Sequence, residues 1–202
     1  MILRYTLVAD GSSDQLLMHV IDWLIAFHRP DLAVTGSFAR DLGRVGSRLS
    51  DRLPAALTLY PCDMLFVHRD TEGVAIAERV REIDEAARPL HSHWVPVVPA
   101  RMTEAWLLSD EIAIRAVAEN KYGHVRLDLP PKREWETVIN PKQVLFDALV
   151  LASGKTRRAQ ARFSLPKARA MVAAWTTDFS PLRGLASFDA LETSLLNVLM
   201  DF

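Results

Sequence analysis

Residues 2 to 9 read ILRYTLVA, an apolar, β-prone run that Asp10-Gly11-Ser12-Ser13 cuts short, the pattern of a strand ending in a tight loop. Leu16, Leu17, Val20, Ile21, Leu24 and Ile25 then recur at helical spacing until Pro30, and Ser12 or Ser13 can cap that helix. A second strand is expected near residues 32 to 38. An Arg- and Gly-containing stretch from Arg40 to Arg52 follows, with a short helix before Pro61. Asp63 to His68 is a compact apolar run, residues 69 to 73 have loop chemistry, and residues 74 to 87 read as a helix. Trp94 to Val98 is another strand ending at Pro99, and the stretch TEAWLLSDEIAIRAVA from Thr103 predicts one long helix. Repeated βα units predict a mainly parallel sheet covered by helices on both faces, an α/β fold. Residues 119 to 141 are polar with three prolines and read as a long loop or lid. Beyond them only helical periodicity remains, at 144–152, 167–175 and 188–199.

A chain of 202 residues fits one domain with appendages better than two equal ones. The expected organisation is an α/β core over 1–118, with 119–202 as a loop or lid and a helical C-terminal extension packed on the same core. Half of the residues are apolar and 24% charged, which excludes a disordered or collagenous chain. Cys62 is the only cysteine, so neither an internal disulfide nor a cysteine-rich zinc site is possible, and a reducing compartment is expected. With no leader-like N-terminus and no apolar run near the roughly 18 residues of a membrane span, the expectation is a cytoplasmic protein without a membrane.

The net charge of −1 hides a division along the chain. Residues 1–120 carry 12 basic and 17 acidic groups, 121–169 carry 11 and 4, and the remainder 1 and 4. Nineteen of the 24 cations are arginine, whose planar fork suits phosphates and carboxylates. Lys155, Arg157, Arg158 and Arg162 form the densest basic run and are the candidate nucleic-acid contacts, with a solvated basic loop as the plain alternative.

In open parallel sheets ligands bind outside the carboxyl ends of the strands. That rule selects Asp10 and Asp14 after the first strand, His68, Asp70 and Glu72 after the Asp63–His68 strand, and Glu104 after the last. Five carboxylates on one rim repel one another unless a cation or a shared proton compensates them, and hard oxygen ligands suit Mg²⁺ or Mn²⁺. Each residue also has a structural reading. Asp14 can be a first-turn acid favoured by the helix dipole, Glu72 a solvated turn residue, and His68 a hydrogen-bonded core histidine.

Asp10-Gly11 after a first strand, Asp70 two residues beyond a strand-end His68, and the stretch Glu104-Ala-Trp-Leu-Leu-Ser-Asp110 resemble the landmarks of a Toprim-like bacterial family of unknown function. Asn140-Pro141-Lys142 and Ser180-Pro-Leu-Arg183 with Phe188 are similar to that family's closing segments. The resemblance implies a Toprim-like fold in which acids hold Mg²⁺ or Mn²⁺ for cleaving phosphodiester bonds in nucleic acid, and a place beside an ATPase in phage defence or repair. The implied metal ligands are Asp10, Asp70, Glu72 and Glu104. The implied catalytic set is Asp10, His68, Asp70 and Glu104, with His68 donating a proton to the leaving oxygen and Arg69 clamping a phosphate or neutralising the rim. Two positions depart from the family pattern: Asp10 stands where it has glutamate, and His68 where it has the first aspartate of a pair. The second reading is therefore a catalytically degenerate module that binds a partner such as an ATPase. The third is a phosphatase or phosphotransferase on small molecules. Gly154-Lys155-Thr156 lacks the leading glycine of a phosphate-binding loop, since Leu149 stands in its place.

Overall fold

The computed structural model describes residues 2–71 and 73–202, together with the backbone but not the side chain of Arg157. Glu72 and the Arg157 side chain therefore lie outside the described residues. Four strands form an all-parallel sheet: β1 (Ile2–Val8), β2 (Ala33–Phe38), β3 (Met64–His68) and β4 (Trp94–Val97), in the order β2-β1-β3-β4. Leu7 pairs with Phe38 on one side of β1 and with Phe66 on the other, and His68 pairs with Val97 at the end of β3. The chain leaves β1 for one side and returns to β3 on the other. The loops after β1 and β3 therefore diverge, and a crevice opens at their carboxyl ends.

Strand side chains alternate between two apolar layers, as the two-residue period requires. Leu3, Tyr5, Leu7, Phe66, Val95 and Val97 face a large core shared with α1 (Leu17–His28) and the later helices. Val8, Leu65 and Val67 face a smaller core closed by α2 (Leu49–Leu59) and α3 (Ile76–Ala87). The strands are nearly continuous apolar runs because both faces are covered.

The later helices are α4 (Glu104–Leu107), α5 (Glu111–Val117), α6 (Pro141–Ser153), α7 (Arg157–Gln160), α8 (Leu165–Trp175) and α9 (Ala186–Leu199). The expected long helix from Thr103 is thus two. Asp110 takes the N-cap of α5, its carboxylate accepting from the Ala113 amide at 2.9 Å, and its non-helical backbone breaks the run. The N-terminal helix likewise begins with a separate 3₁₀ turn, Ser12–Leu16, before α1. The loop between α5 and α6 is anchored by buried Leu127 and Trp135, whose indole donates to the Pro130 carbonyl at 2.9 Å. No helix among the described residues is long and apolar enough to cross a membrane.

Candidate functional site

The crevice gathers the strand-end residues. Asp10 follows β1 by two residues, and its Oδ1 accepts from Arg69 Nη1 at 2.8 Å and lies 3.5 Å from Arg52 Nη1. Arg52 projects from α2 and also donates to the Ala9 carbonyl. The other Asp10 oxygen lies 3.4 Å from the Asp70 amide, so the two strand-end loops meet at this carboxylate. Arg69 extends further to Glu82 on α3, at 3.5 Å.

Asp14 sits in the 3₁₀ turn, where it does capping work. Its Oδ2 accepts from the Gly11 amide at 3.0 Å, and Ser13 Oγ donates to its other oxygen at 3.3 Å. The side chain is buried, and burial pushes its pKa up, while His68 and the Gly11 amide pull it back and Asp70 adds to the rise.

His68 is fully buried at the end of β3. Its Nδ1 donates to the Val97 carbonyl across the β3–β4 pair at 2.9 Å, which leaves Nε2 facing Asp70 Oδ1 at 3.4 Å and Asp14 Oδ2 at 3.8 Å. Neither Nε2 nor Asp70 Oδ1 has a hydrogen-bond partner, so the two attract by charge at ionic distance rather than through an aligned bond. Burial opposes the imidazolium, but the attraction of Asp70 and Asp14 outweighs it, with help from the Val97 carbonyl, and the pKa of His68 lies above its ordinary value. The buried imidazole is thus held towards its cationic form between two carboxylates.

Glu104 opens α4, is buried, and pairs with Arg169 of α8. A second Arg169 nitrogen donates to the Ser13 carbonyl at 3.0 Å, which ties α8 to the turn that carries Asp14. Glu104 therefore belongs to the same neighbourhood, with a guanidinium of its own. Lys155 of the basic run is 2.5 Å from Glu119 and lies 5.3 Å from the Phe163 ring, while Arg158 and Arg162 are exposed.

Every described carboxylate of the rim has a basic side chain of this chain against it: Arg69 and Arg52 on Asp10, Arg169 on Glu104, His68 on Asp14 and Asp70. Among the described residues no group of three or more His, Cys, Asp or Glu side chains is placed to hold a metal ion. A divalent ion shared by Asp10, Asp70 and Glu104 would have to displace the guanidinium groups of Arg52, Arg69 and Arg169. The described donor set does not fit such an ion.

Arg52 and Arg169 are the compensating residues that motif reading passes over. Each had a signal. Arg40, Arg44, Arg48 and Arg52 recur every four residues, and Arg169 stands among Ala168, Val172 and Ala173 on the buried face of α8. No protein-family model matches the chain, and no curated protein or solved structure matches it.

Proposed function

We propose that this chain is a Toprim-like module that binds rather than cuts. What supports the reading is the pairing of the strand-end rim within the chain, in which arginines lie against Asp10 and Glu104 and the imidazole of His68, its pKa raised, faces Asp14 and Asp70. The departure at position 68 has a consequence: replacing an acid by a histidine removes one negative charge and adds a positive one when protonated. The resemblance makes an ATPase the expected partner protein and nucleic acid the expected polymer.

The test is melting and cleavage in parallel. Purified protein is heated with and without millimolar Mn²⁺ or Mg²⁺, and the same samples are incubated with plasmid and linear DNA. The expected result is no metal-dependent rise in Tm, because an ion that binds the folded state stabilises it by RT ln(1 + [L]/Kd). No nicking is expected either. Metal-dependent cleavage that disappears in Asp70→Ala would overturn the reading and restore the nuclease, the alternative favoured by the two unpartnered buried atoms, His68 Nε2 and Asp70 Oδ1.

A further inference from the structure

Beside the rim lies an open cleft of about 520 Å³ between the carboxyl ends of β1 and β2, bordered by the loop that leads to α2. Its wall is divided in two. Arg40, Arg52 and Arg69 supply guanidinium groups, and Phe38, Leu42 and Val45 supply an apolar surface. Arg52 and Arg69 pair with Asp10, and Arg69 also reaches Glu82, so the guanidinium with no carboxylate among its described contacts is that of Arg40. Arg69 Nε is buried without a hydrogen-bond partner. Arg40 spends one nitrogen on the Gln15 amide oxygen and lies 5.8 Å from the Phe38 ring, where cation and apolar wall meet.

The loop is shaped for this position. Gly43 has a φ of +76°, which a side chain rarely tolerates. Gly46 packs so closely on the Asp51 carboxylate that a Cβ would overlap it, which seats the loop on the first turn of α2. Ser12 and Ser47 add hydroxyl groups to the lining. Ligand sites typically enclose about 300–1,000 Å³ and combine apolar walls with a few convergent polar groups.

The geometry points to this cleft as a binding site for a nucleoside monophosphate group, free or as the terminal nucleotide of a strand. The phosphate meets the guanidinium forks, which match its oxygens in pairs, and the base lies on the Phe38, Leu42 and Val45 side. An inorganic anion would leave the apolar wall unused, and a neutral nucleoside would leave the arginines unused. The inference rests on the binding reading above, which leaves Arg52 and Arg69 in place, and it names what the site takes.

Calorimetric titration at low salt in EDTA compares nucleoside monophosphates, the matching nucleosides, inorganic phosphate, and short oligonucleotides with a 5′-phosphate or a 5′-hydroxyl. The expected order places the monophosphate at least about tenfold tighter than its nucleoside, and Arg40→Ala weakens it about tenfold, the size of one charge-assisted contact. Ser47→Glu, which puts a carboxylate into the cleft from an exposed loop position, is expected to weaken it further. Tighter binding of the 5′-phosphorylated strand assigns the strand terminus, and tighter binding of the free monophosphate assigns the free nucleotide. Equal binding of nucleoside and monophosphate, no binding at millimolar ligand, or indifference to both substitutions with unchanged melting would overturn the proposal. Since EDTA removes divalent ions, metal-dependent cleavage found elsewhere would sink the binding reading without touching this result.

Discussion

At the scale of single residues, His68 carries the most consequence. Its folded pKa lies above the ordinary value of 6.5, because Asp70 and Asp14 outweigh the cost of burial. A raised histidine stabilises the fold fully below its unfolded pKa, and that contribution is lost as pH rises through the folded value. Asp14 has the same sign, since burial raises its pKa above 3.8: the protonated form is favoured in the fold, and stability falls as pH rises through the folded value. Asp63 opposes them at the acid end. Arg4 holds it down to about 2, so its contribution is present above the ordinary carboxylate range and is lost as pH falls toward that value. The loss that begins near pH 6.5 is that of His68, while the thiol of Cys62 and the phenol of Tyr5, both raised by burial, add the same sign only from their ordinary values of 9.0 and 10.0 upward. Melting followed from about pH 5 to 9 is expected to show Tm declining on the alkaline side, and His68→Gln, which has no titrating imidazole, is expected to flatten that decline. An alkaline slope unchanged in the variant would place the titration elsewhere.

At the scale of elements, what could be read depended on whether a boundary is set locally. The strands were legible because their apolar runs are cut off by Asp10-Gly11, Arg40, Arg69-Asp70 and Pro99, and Ile2–Val8, Ala33–Phe38, Met64–His68 and Trp94–Val97 fall within a residue or so of the expected runs. Apolar spacing put α6 at 144–152, yet it begins at Pro141 and ends at Ser153. The missing turn was written in other chemistry. Asn140 caps the helix by accepting from the Gln143 amide at 3.0 Å, Pro141 takes the first position, and Gly154 closes the end with a φ of +57°. Asn140→Ala and Gly154→Ala are each expected to cost about 1 kcal/mol. That corresponds to about 2–4 °C in Tm at this size, readable by calorimetry, and a shift below half a degree in both would show that tertiary packing, not capping, fixes the ends. Asp10, Asp14 and Asp70 lie together at the strand ends and Glu104 joins them through Arg169, while Glu72 lies outside the described residues. Spacing and apolar context mark Arg52 and Arg169 out, but which carboxylate each one meets was not legible, because both come from helices whose approach to the strand ends is set by packing.

Across the whole molecule, Arg169 ties together segments that lie far apart in the chain. From α8 it reaches Glu104 at the start of α4 and the Ser13 carbonyl in the turn after β1, while Trp106 of α4 donates to Ser187 of α9 at 3.2 Å and packs edge-on to Phe188. The same large core holds Leu3 and Leu7 from the sheet and Leu191, Leu195 and Leu199 from α9. The ionic contact and the core thus join the C-terminal helices to the strand ends. The Glu104 and Arg169 side chains are only 3% and 10% exposed, so either charge left alone would be desolvated without a partner. Glu104→Gln is therefore expected to cost about 3–5 kcal/mol, a large part of the roughly 5–15 kcal/mol that holds a typical domain folded. Pairing Arg169→Met with Glu104→Met instead removes both charges, and this double variant is expected to recover most of that loss, because an apolar pair of similar volume has no ion to desolvate. Urea denaturation of Glu104→Met, Arg169→Met and the double variant closes the cycle. A double variant no more stable than Glu104→Gln would mean that the bond to Ser13, rather than the ion pair, is what Arg169 contributes to the fold.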